Sequence, residues 1–456
     1  MPKAESVTVV GAGLVGSLLA IGLARRGHAV EVFERRPDMR REEISAGRSI
    51  NLALSTRGLH ALDQVGLRDE VLRFAIPMRG RMIHAPDGST QLQPYGRTEA
   101  DCIHSVSRRL LNELLMTQAE ASERVKIHFS EKLISAELSE GRLHFLDENS
   151  GREHEHVTSL VLGTDGSASV LRREVAGEPT VSGAHTSQTL SHGYKELTLP
   201  ATGLPGNAAF TLEKHALHIW PRGNYMLIAL PNLDGSFTCT LFLPFEGPVS
   251  FASLRTPAEV TRFFDEQFGD IVPRLPRLTD EFFDNPTGQM VTIKCSPWSS
   301  GQNCLLLGDA AHAIVPFFGQ GMNCGFEDCS EFGPYLERAD RAQAFRDFHA
   351  ARKPNTDAIA DMAVENFVEM RDKVAQPRFQ FEKKVERILQ EAFPAEYASR
   401  YALVTFSRTP YREAYELGAV QASILSELSE GLERPEQVDL ARARRMIAER
   451  LGSPRA

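Results

Sequence analysis

"VTVVGAGLVGSLLAIGLARRGHAVEVFERR", Val7 to Arg36, decides the fold. Val7–Val10 reads as a short buried strand. Gly11, Gly13 and Gly16 follow it as G-x-G-x-x-G. Leu14 to Arg26 carries apolar residues at helical spacing and stops at Gly27. Ala29–Glu34 then alternates as a second strand and ends on an acid, 18 positions after Gly16. Each part has a physical job. Gly11 permits the tight turn, Gly13 lets backbone amides approach a pyrophosphate, and Gly16 lets helix and strand pack closely. The helix N-terminus offers free N–H groups to phosphates, and Glu34 can accept from a ribose diol. The pattern predicts a dinucleotide site without choosing between FAD and NAD.

The run from Val7 to Ala24 holds 18 uncharged residues, long enough for a membrane span. Its four glycines and the alternating strand behind it fit strand–turn–helix better. The C-terminal "RARRMIAERLGSPRA" is polar, so no membrane anchor is expected there. The chain of 456 residues has room for two or three domains. Its net charge of −9, with no basic tract, argues against nucleic acid as a partner. Six scattered cysteines without a CxxC pair predict neither a metal site nor a disulfide framework, and they fit a reducing cytoplasm.

"LLLGDAAHAIVPFFGQGMNCGFED", Leu305 to Asp328, raises a second question. Leu305–Leu307 reads as a strand ended by Gly308 and Asp309. The loop from Gly319 to Asn323 leads into a helix. Asp309 can hydrogen-bond a ribityl hydroxyl, and the N–H groups of Met322 and Asn323 can face the polar edge of an isoalloxazine ring. "LVLGTDGSASVLRREV" adds Asp165 and Gly166 in a strand–turn–helix, and "SVSRRLLNELL" places Arg108 at a helix start.

These fragments, in this order, resemble the FAD-dependent aromatic hydroxylases, the class A flavoprotein monooxygenases. The GD and DG motifs and Arg108 match that family's flavin-binding positions, and its pattern also points to Ala53 and Leu133. The lack of a second G-x-G-x-x-G fits a class in which NADPH visits the flavin without its own Rossmann domain. "GRSINLALSTRG", "RMIHAPDG", "HGYKEL", "HIWPRG", "ENFVEMRD" and "YALVTFSR" are similar to the branch that hydroxylates L-kynurenine.

That resemblance implies bound FAD, NADPH as a transient co-substrate and O2, with L-kynurenine converted to 3-hydroxy-L-kynurenine through a flavin C4a-hydroperoxide. No catalytic side chain is required, and no metal. By the same match, Arg81 and Tyr95 take the substrate carboxylate. Asn366 and Tyr401 are further substrate contacts, Met370 lines the pocket, and Phe317, Phe318 and Gln320 wall it near the flavin. Read without the resemblance, these residues have plainer roles. Arg81 pairs with Asp87, Tyr95 packs on Pro94, Asn366 is solvated, and Met370 and Tyr401 fill core. His312 reads as a packed structural histidine.

The expected fold is α/β. A doubly wound Rossmann-type FAD domain takes residues 1–75, 101–180 and 295–375. An inserted antiparallel β-sheet substrate domain takes 76–100 and 181–294, and a C-terminal helical region covers 376–456. The oligomeric state, monomer or homodimer, is left open. Rival readings are a related hydroxylase acting on another aromatic acid, or a non-enzymatic flavin-binding protein. A flavin halogenase is disfavoured because Trp220 and Trp298 do not form a W-x-W-x-I-P motif.

Overall fold

A computed structural model of the chain describes residues 6–41, 51–96, 98–177, 184–373 and 376–452. Positions 47–50 of the matched stretch "GRSINLALSTRG", and the last four residues of the polar C-terminus, lie outside them. The chain divides into two compact units. One comprises Met1–Ala75, His104–Leu190 and Gln289–Ala360; the other comprises Ile76–Ile103, Ser191–Gly288 and Asp361–Ala456. The helical region after residue 376 thus falls in the same unit as the inserted sheet. Among the described residues, no helix is long and apolar enough to cross a membrane.

The first unit is built on a six-stranded sheet. Its order is Ser299–Ser300, Cys304–Leu306, Val161–Gly163, Ser6–Val10, Ala29–Glu34, Val125–Phe129. All neighbours are parallel except the first pair. Parallel strands are buried on both faces, so they read as near-continuous apolar runs; Ser6–Val10 is buried at every position after the first. The glycine-turn helix spans Leu14–Arg25, and Gly27 follows its cap at φ +94°. An antiparallel three-stranded sheet, Glu131–Glu137, Arg142–Asp147 and Arg152–Val157, packs into the same core through Leu133, Leu143 and Phe145.

In the second unit, strands of a seven-stranded sheet run in the order 191–199 (the end of Ala184–Leu199), Phe237–Pro244, Met226–Pro231, Ala216–Pro221, Gly80–His84, Thr90–Pro94. "HIWPRGNYMLIALPN" and "SFTCTLFLPF" form adjacent antiparallel strands, as expected. One pair departs from the expectation: Gly80–His84 runs parallel to Ala216–Pro221. Those strands are joined by a long crossover rather than a hairpin, which permits the parallel sense. Helix Pro257–Phe268 backs this sheet. A capping box of Thr256 and Glu259 starts it, with Pro257 in its first turn. Val260, Phe264 and Phe268 on its inner face are fully buried against Trp220, Leu227 and Phe237. Helices Pro377–Ala392, Tyr411–Ser429 and Leu440–Arg450 close a separate core around Val385, Leu389 and Ile424.

Candidate active site

In the first unit the glycine turn has the geometry a dinucleotide needs. Gly11 sits at φ +100°, and a Cβ there would come within 2.5 Å of the Thr164 carbonyl. A Cβ on Gly16 would meet the Gly11 carbonyl at 1.9 Å. Gly13 instead faces open space, with nothing within 4 Å of an added Cβ. Glu34 reaches back from its strand: one oxygen accepts from Ala12 N at 2.8 Å and the other from Arg36 N at 3.0 Å. Sequence reasoning passed over Asn112. One helical turn after Arg108, it donates Nδ2 to the Ala12 carbonyl at 3.2 Å, while its buried Oδ1 has no partner among the described residues. The i, i+4 spacing from Arg108 was the available signal.

The DG and GD turns belong to the same unit. Asp165 caps helix Val170–Gly177 through Oδ2, which accepts from Val170 N at 2.8 Å and Leu171 N at 3.2 Å. Its Oδ1 is buried and makes no hydrogen bond of ordinary geometry among the described residues. Burial pushes this carboxyl above the usual range. Arg172 ties the two turns together, donating to the Ala310 carbonyl at 2.9 Å and to that of Ser167 at 2.6 Å.

Around the GD turn the strand ends at Leu306, and Gly308 turns at φ +59°. Asp309 is exposed and begins the short helix Asp309–His312; Arg108, also exposed at its own helix start, lies close enough to act on its charge. The glycine loop is shorter than expected. It stops at Gln320, because helix Gly321–Leu336 already includes Met322 and Asn323. Their N–H groups fall in the first turn, which the helix itself leaves unused. The Asn323 side chain is committed elsewhere: Nδ2 donates to Ala53 O and Gly319 O at 2.8 Å, and Oδ1 accepts from Ser55 N at 2.9 Å. Ala53 is thereby fixed beside Gly319. The Leu133 side chain is core, so only its backbone is left to meet a ligand. Phe317 and Phe318 form a buried 3-10 turn, and buried Gln320 donates to Ser55 Oγ at 3.3 Å.

A buried ion network holds this loop, and its only local sign is a pair of acids in an apolar helix. Glu327 pairs with Arg57 and, at 2.6 Å, with Arg352. Asp328 takes Arg352 Nε at 2.9 Å, His312 Nε2, and the Gly308 N–H at 2.9 Å. Burial opposes charge on His312, but the Asp328 carboxylate overrides it and lifts the ring well above its usual range. The Asp328 contact thus favours the charged form of His312.

The second unit gathers Arg81, Tyr95 and Tyr401. Tyr95 and Tyr401 stack with centroids 5.1 Å apart and planes 16° apart. The Arg81 guanidinium lies 4.9 Å from the Tyr401 centroid and 5.8 Å from that of Tyr95. Asp87 does not pair with Arg81; it caps its own turn through Ser89. Arg81 Nε and the Tyr95 hydroxyl are buried and make no hydrogen bond of ordinary geometry among the described residues. Burial works against the Arg81 charge, but Tyr401, Tyr95 and Glu369 outweigh it and hold the guanidinium above its usual range. Burial also pushes the Tyr95 phenol well up, so it stays a neutral donor. Asn366 and Met370 are buried together, Nδ2 to Sδ at 3.3 Å. Met370 lies in a π-helical turn, Glu369–Lys373, that ends the long helix Arg341–Val368. Phe406, which sequence reasoning missed, meets Tyr95 and Tyr401 edge-on at 6.4 and 6.0 Å.

The chain is similar to known proteins over nearly its whole length. Residues 4–366 match the FAD binding domain family. Kynurenine 3-monooxygenase of Myxococcus xanthus (strain DK1622) is 58% identical over 450 residues, covering 98% of this chain and 96% of its own. Kynurenine 3-monooxygenase of Dictyostelium discoideum is 42% identical, covering 97% of each chain. Among solved structures, the tetrameric form of 2-methyl-3-hydroxypyridine-5-carboxylic acid oxygenase superposes with a TM-score of 0.64 at 20% identity, over 84% of this chain and 96% of that one. That likeness bears on the fold alone. With sequence identity at this level over nearly the full length of both relatives, the chain belongs to the kynurenine 3-monooxygenase family of FAD-dependent enzymes.

Proposed function

We propose that this protein hydroxylates L-kynurenine to 3-hydroxy-L-kynurenine with NADPH and O2 on bound FAD. FAD supplies the redox and oxygen chemistry when bound. The chain's own residues bind, orient and exclude water. The turn Gly11–Gly16 and the N-terminus of Leu14–Arg25 suit the pyrophosphate, and Glu34 suits a ribose. Asp165, Asp309, Arg108, Ala53, the Leu133 backbone and the first-turn amides at Met322 and Asn323 complete the flavin set. The residues fit the group: a glycine opens where phosphate would approach, and the buried acceptors Asn112 Oδ1 and Asp165 Oδ1, with no hydrogen bond of ordinary geometry among the described residues, suit hydroxyl or N–H donors.

One observation carries the substrate reading. Arg81 Nε and the Tyr95 hydroxyl are buried donors that make no hydrogen bond of ordinary geometry among the described residues, set in an aromatic stack. Such donors are costly unless a ligand acceptor completes them, and a carboxylate takes both. Asn366, Tyr401 and Met370 line that side, with Phe317, Phe318 and Gln320 assigned to keeping the reaction dry. The substrate's aromatic amine itself activates the ring carbon beside it, so no protein nucleophile is needed. None of the six cysteines, all among the described residues, forms a disulfide, which fits a reducing compartment such as the cytoplasm.

The test is product mass after aerobic incubation of the flavin-loaded protein with NADPH and L-kynurenine. A gain of one oxygen on the ring is expected. NADPH consumption to hydrogen peroxide without that gain would mean that another aromatic acid is the substrate. No NADPH consumption would leave a flavin-binding protein.

A further inference from the structure

The stretches "RMIHAPDG" and "HIWPRG" bind each other. His84 closes strand Gly80–His84, and His218 lies in its parallel neighbour Ala216–Pro221. His84 Nε2 is 2.9 Å from His218 Nδ1, and His84 Nδ1 is 3.1 Å from Asp270 Oδ2. His218 Nε2 is 2.8 Å from the Glu213 carbonyl. Trp220 Nε1 donates to Asp270 at 2.8 Å, and the His84 ring stacks on Trp220 with centroids 3.9 Å apart. Arg222 donates to the His84 carbonyl at 3.0 Å and to that of Gln267 at 2.6 Å. Both histidines are buried.

Counting donors places the protons. The Glu213 carbonyl only accepts, so His218 carries hydrogen on Nε2 and offers a lone pair at Nδ1. His84 therefore donates from Nε2. Its Nδ1 faces a carboxylate, a second acceptor, so one more proton lies between His84 and Asp270. His218 stays neutral, because burial holds it down to about 4. Burial pushes Asp270 up, but the hydrogen bonds from His84 and Trp220 keep it below the usual range.

The place of this cluster matters. Gly80–His84 and Thr90–Pro94, and the strands from Ala216 to Pro244, are joined by short turns that set their register. Between Gly80–His84 and Ala216–Pro221 stand residues 85–215, so no turn sets that pairing. A slip of one residue there would send the Arg81 side chain to the other face of the sheet. Arg81, three positions before His84, faces away from the cluster.

We propose that His84 and Asp270 are positioning residues for substrate binding: through His218 and their shared proton they lock the register of the strand that sets Arg81 beside Tyr95 and Tyr401. This rests on Arg81 as the carboxylate-binding residue. The test measures L-kynurenine Kd, from flavin absorbance, and kcat at saturation in flavin-loaded His84→Phe, Asp270→Ala, Asp270→Asn and Arg81→Ala. His84→Phe and Asp270→Ala should raise Kd by about tenfold or more, as loss of a charge-assisted contact does, with flavin content and kcat little changed. Asp270→Asn should give a Kd between those of wild type and Asp270→Ala, because its Nδ2 can donate to neutral His84 while its Oδ1 accepts from Trp220, which keeps the contact without its charge. Unchanged Kd in His84→Phe, or equal Kd in Asp270→Ala and Asp270→Asn, overturns the proposal; the second comparison stands if His84→Phe does not fold. Affinity lost in Arg81→Ala but kept in His84→Phe removes only the register lock. Affinity kept in Arg81→Ala removes the carboxylate reading and the lock with it.

Discussion

Arg81 is held beside a stacked tyrosine pair and within reach of the Glu369 charge, and this combination makes it selective. A guanidinium over an aromatic face is a planar cation with its donors aimed sideways. Lysine can supply the charge but neither the stack nor the fork. Arg81→Lys should therefore bind L-kynurenine almost as poorly as Arg81→Ala, with a loss of about 2–3 kcal/mol in each. A titration of the oxidised enzyme measures this, and a Kd for Arg81→Lys within a few-fold of wild type would contradict it. Tyr95→Phe keeps the 5.1 Å stack on Tyr401 but loses one donor, so its cost should be smaller, about 1 kcal/mol. Phe318 presents a different kind of residue effect. Its buried ring contributes volume rather than a polar contact, and under the proposed role as a wall of the reaction site, Phe318→Ser would admit water there. More hydrogen peroxide formed per NADPH, at little-changed L-kynurenine Kd, is the expected outcome in a peroxide-coupled assay.

At the scale of elements, the GD turn is fixed less by its own glycines than by the helix Gly321–Leu336 behind it. Asp328 grips the Gly308 amide and His312 at once, and Arg352 closes the network from the next helix. Arg352→Met would leave Glu327 and Asp328 buried with less positive charge, a loss of about 3–5 kcal/mol, visible as a lower midpoint in thermal melts. The Asp328–His312 pair also predicts a pH window. Asp328 is held below the usual carboxylate range: burial raises it, but His312 and Arg352 prevail. Its contribution is present above about pH 4 and is lost as pH falls further. His312 is raised, so its contribution is complete below about pH 6.5 and fades as pH climbs toward its folded value. The melting-point gap between wild type and His312→Gln should be widest between those limits; a gap that grows above neutral pH would contradict the assignment. This network shows where sequence reading stops. The glycine turn was legible because backbone geometry demands particular residues at fixed offsets. Arg57 and Glu327 meet across 270 positions with no local pattern to join them, as do His84 and His218 across 134. Arg81 was legible as a cation in a strand, but the rings beside it come partly from a distant helix, and only family resemblance supplied them.

For the whole molecule, the two ligands should stabilise the protein through different units. The residues assigned to FAD all lie in the unit built from Met1–Ala75, His104–Leu190 and Gln289–Ala360, whereas Arg81, Tyr95 and Tyr401 lie in the other. A ligand that binds only the folded state adds about 2.7 kcal/mol at a hundredfold excess over its Kd. Stripping FAD should therefore lower the melting temperature, and re-adding it should restore the difference. Adding L-kynurenine to the flavin-loaded protein should produce a second, separate increment. Arg81→Ala should abolish the second increment and leave the first intact. Gly16→Ala, whose methyl group would collide with the Gly11 carbonyl, should abolish the first. If Arg81→Ala also abolished the FAD increment, that arginine would be serving the fold or the cofactor rather than the substrate carboxylate. A kynurenine increment that persisted in Arg81→Ala would place the amino-acid head of the substrate elsewhere.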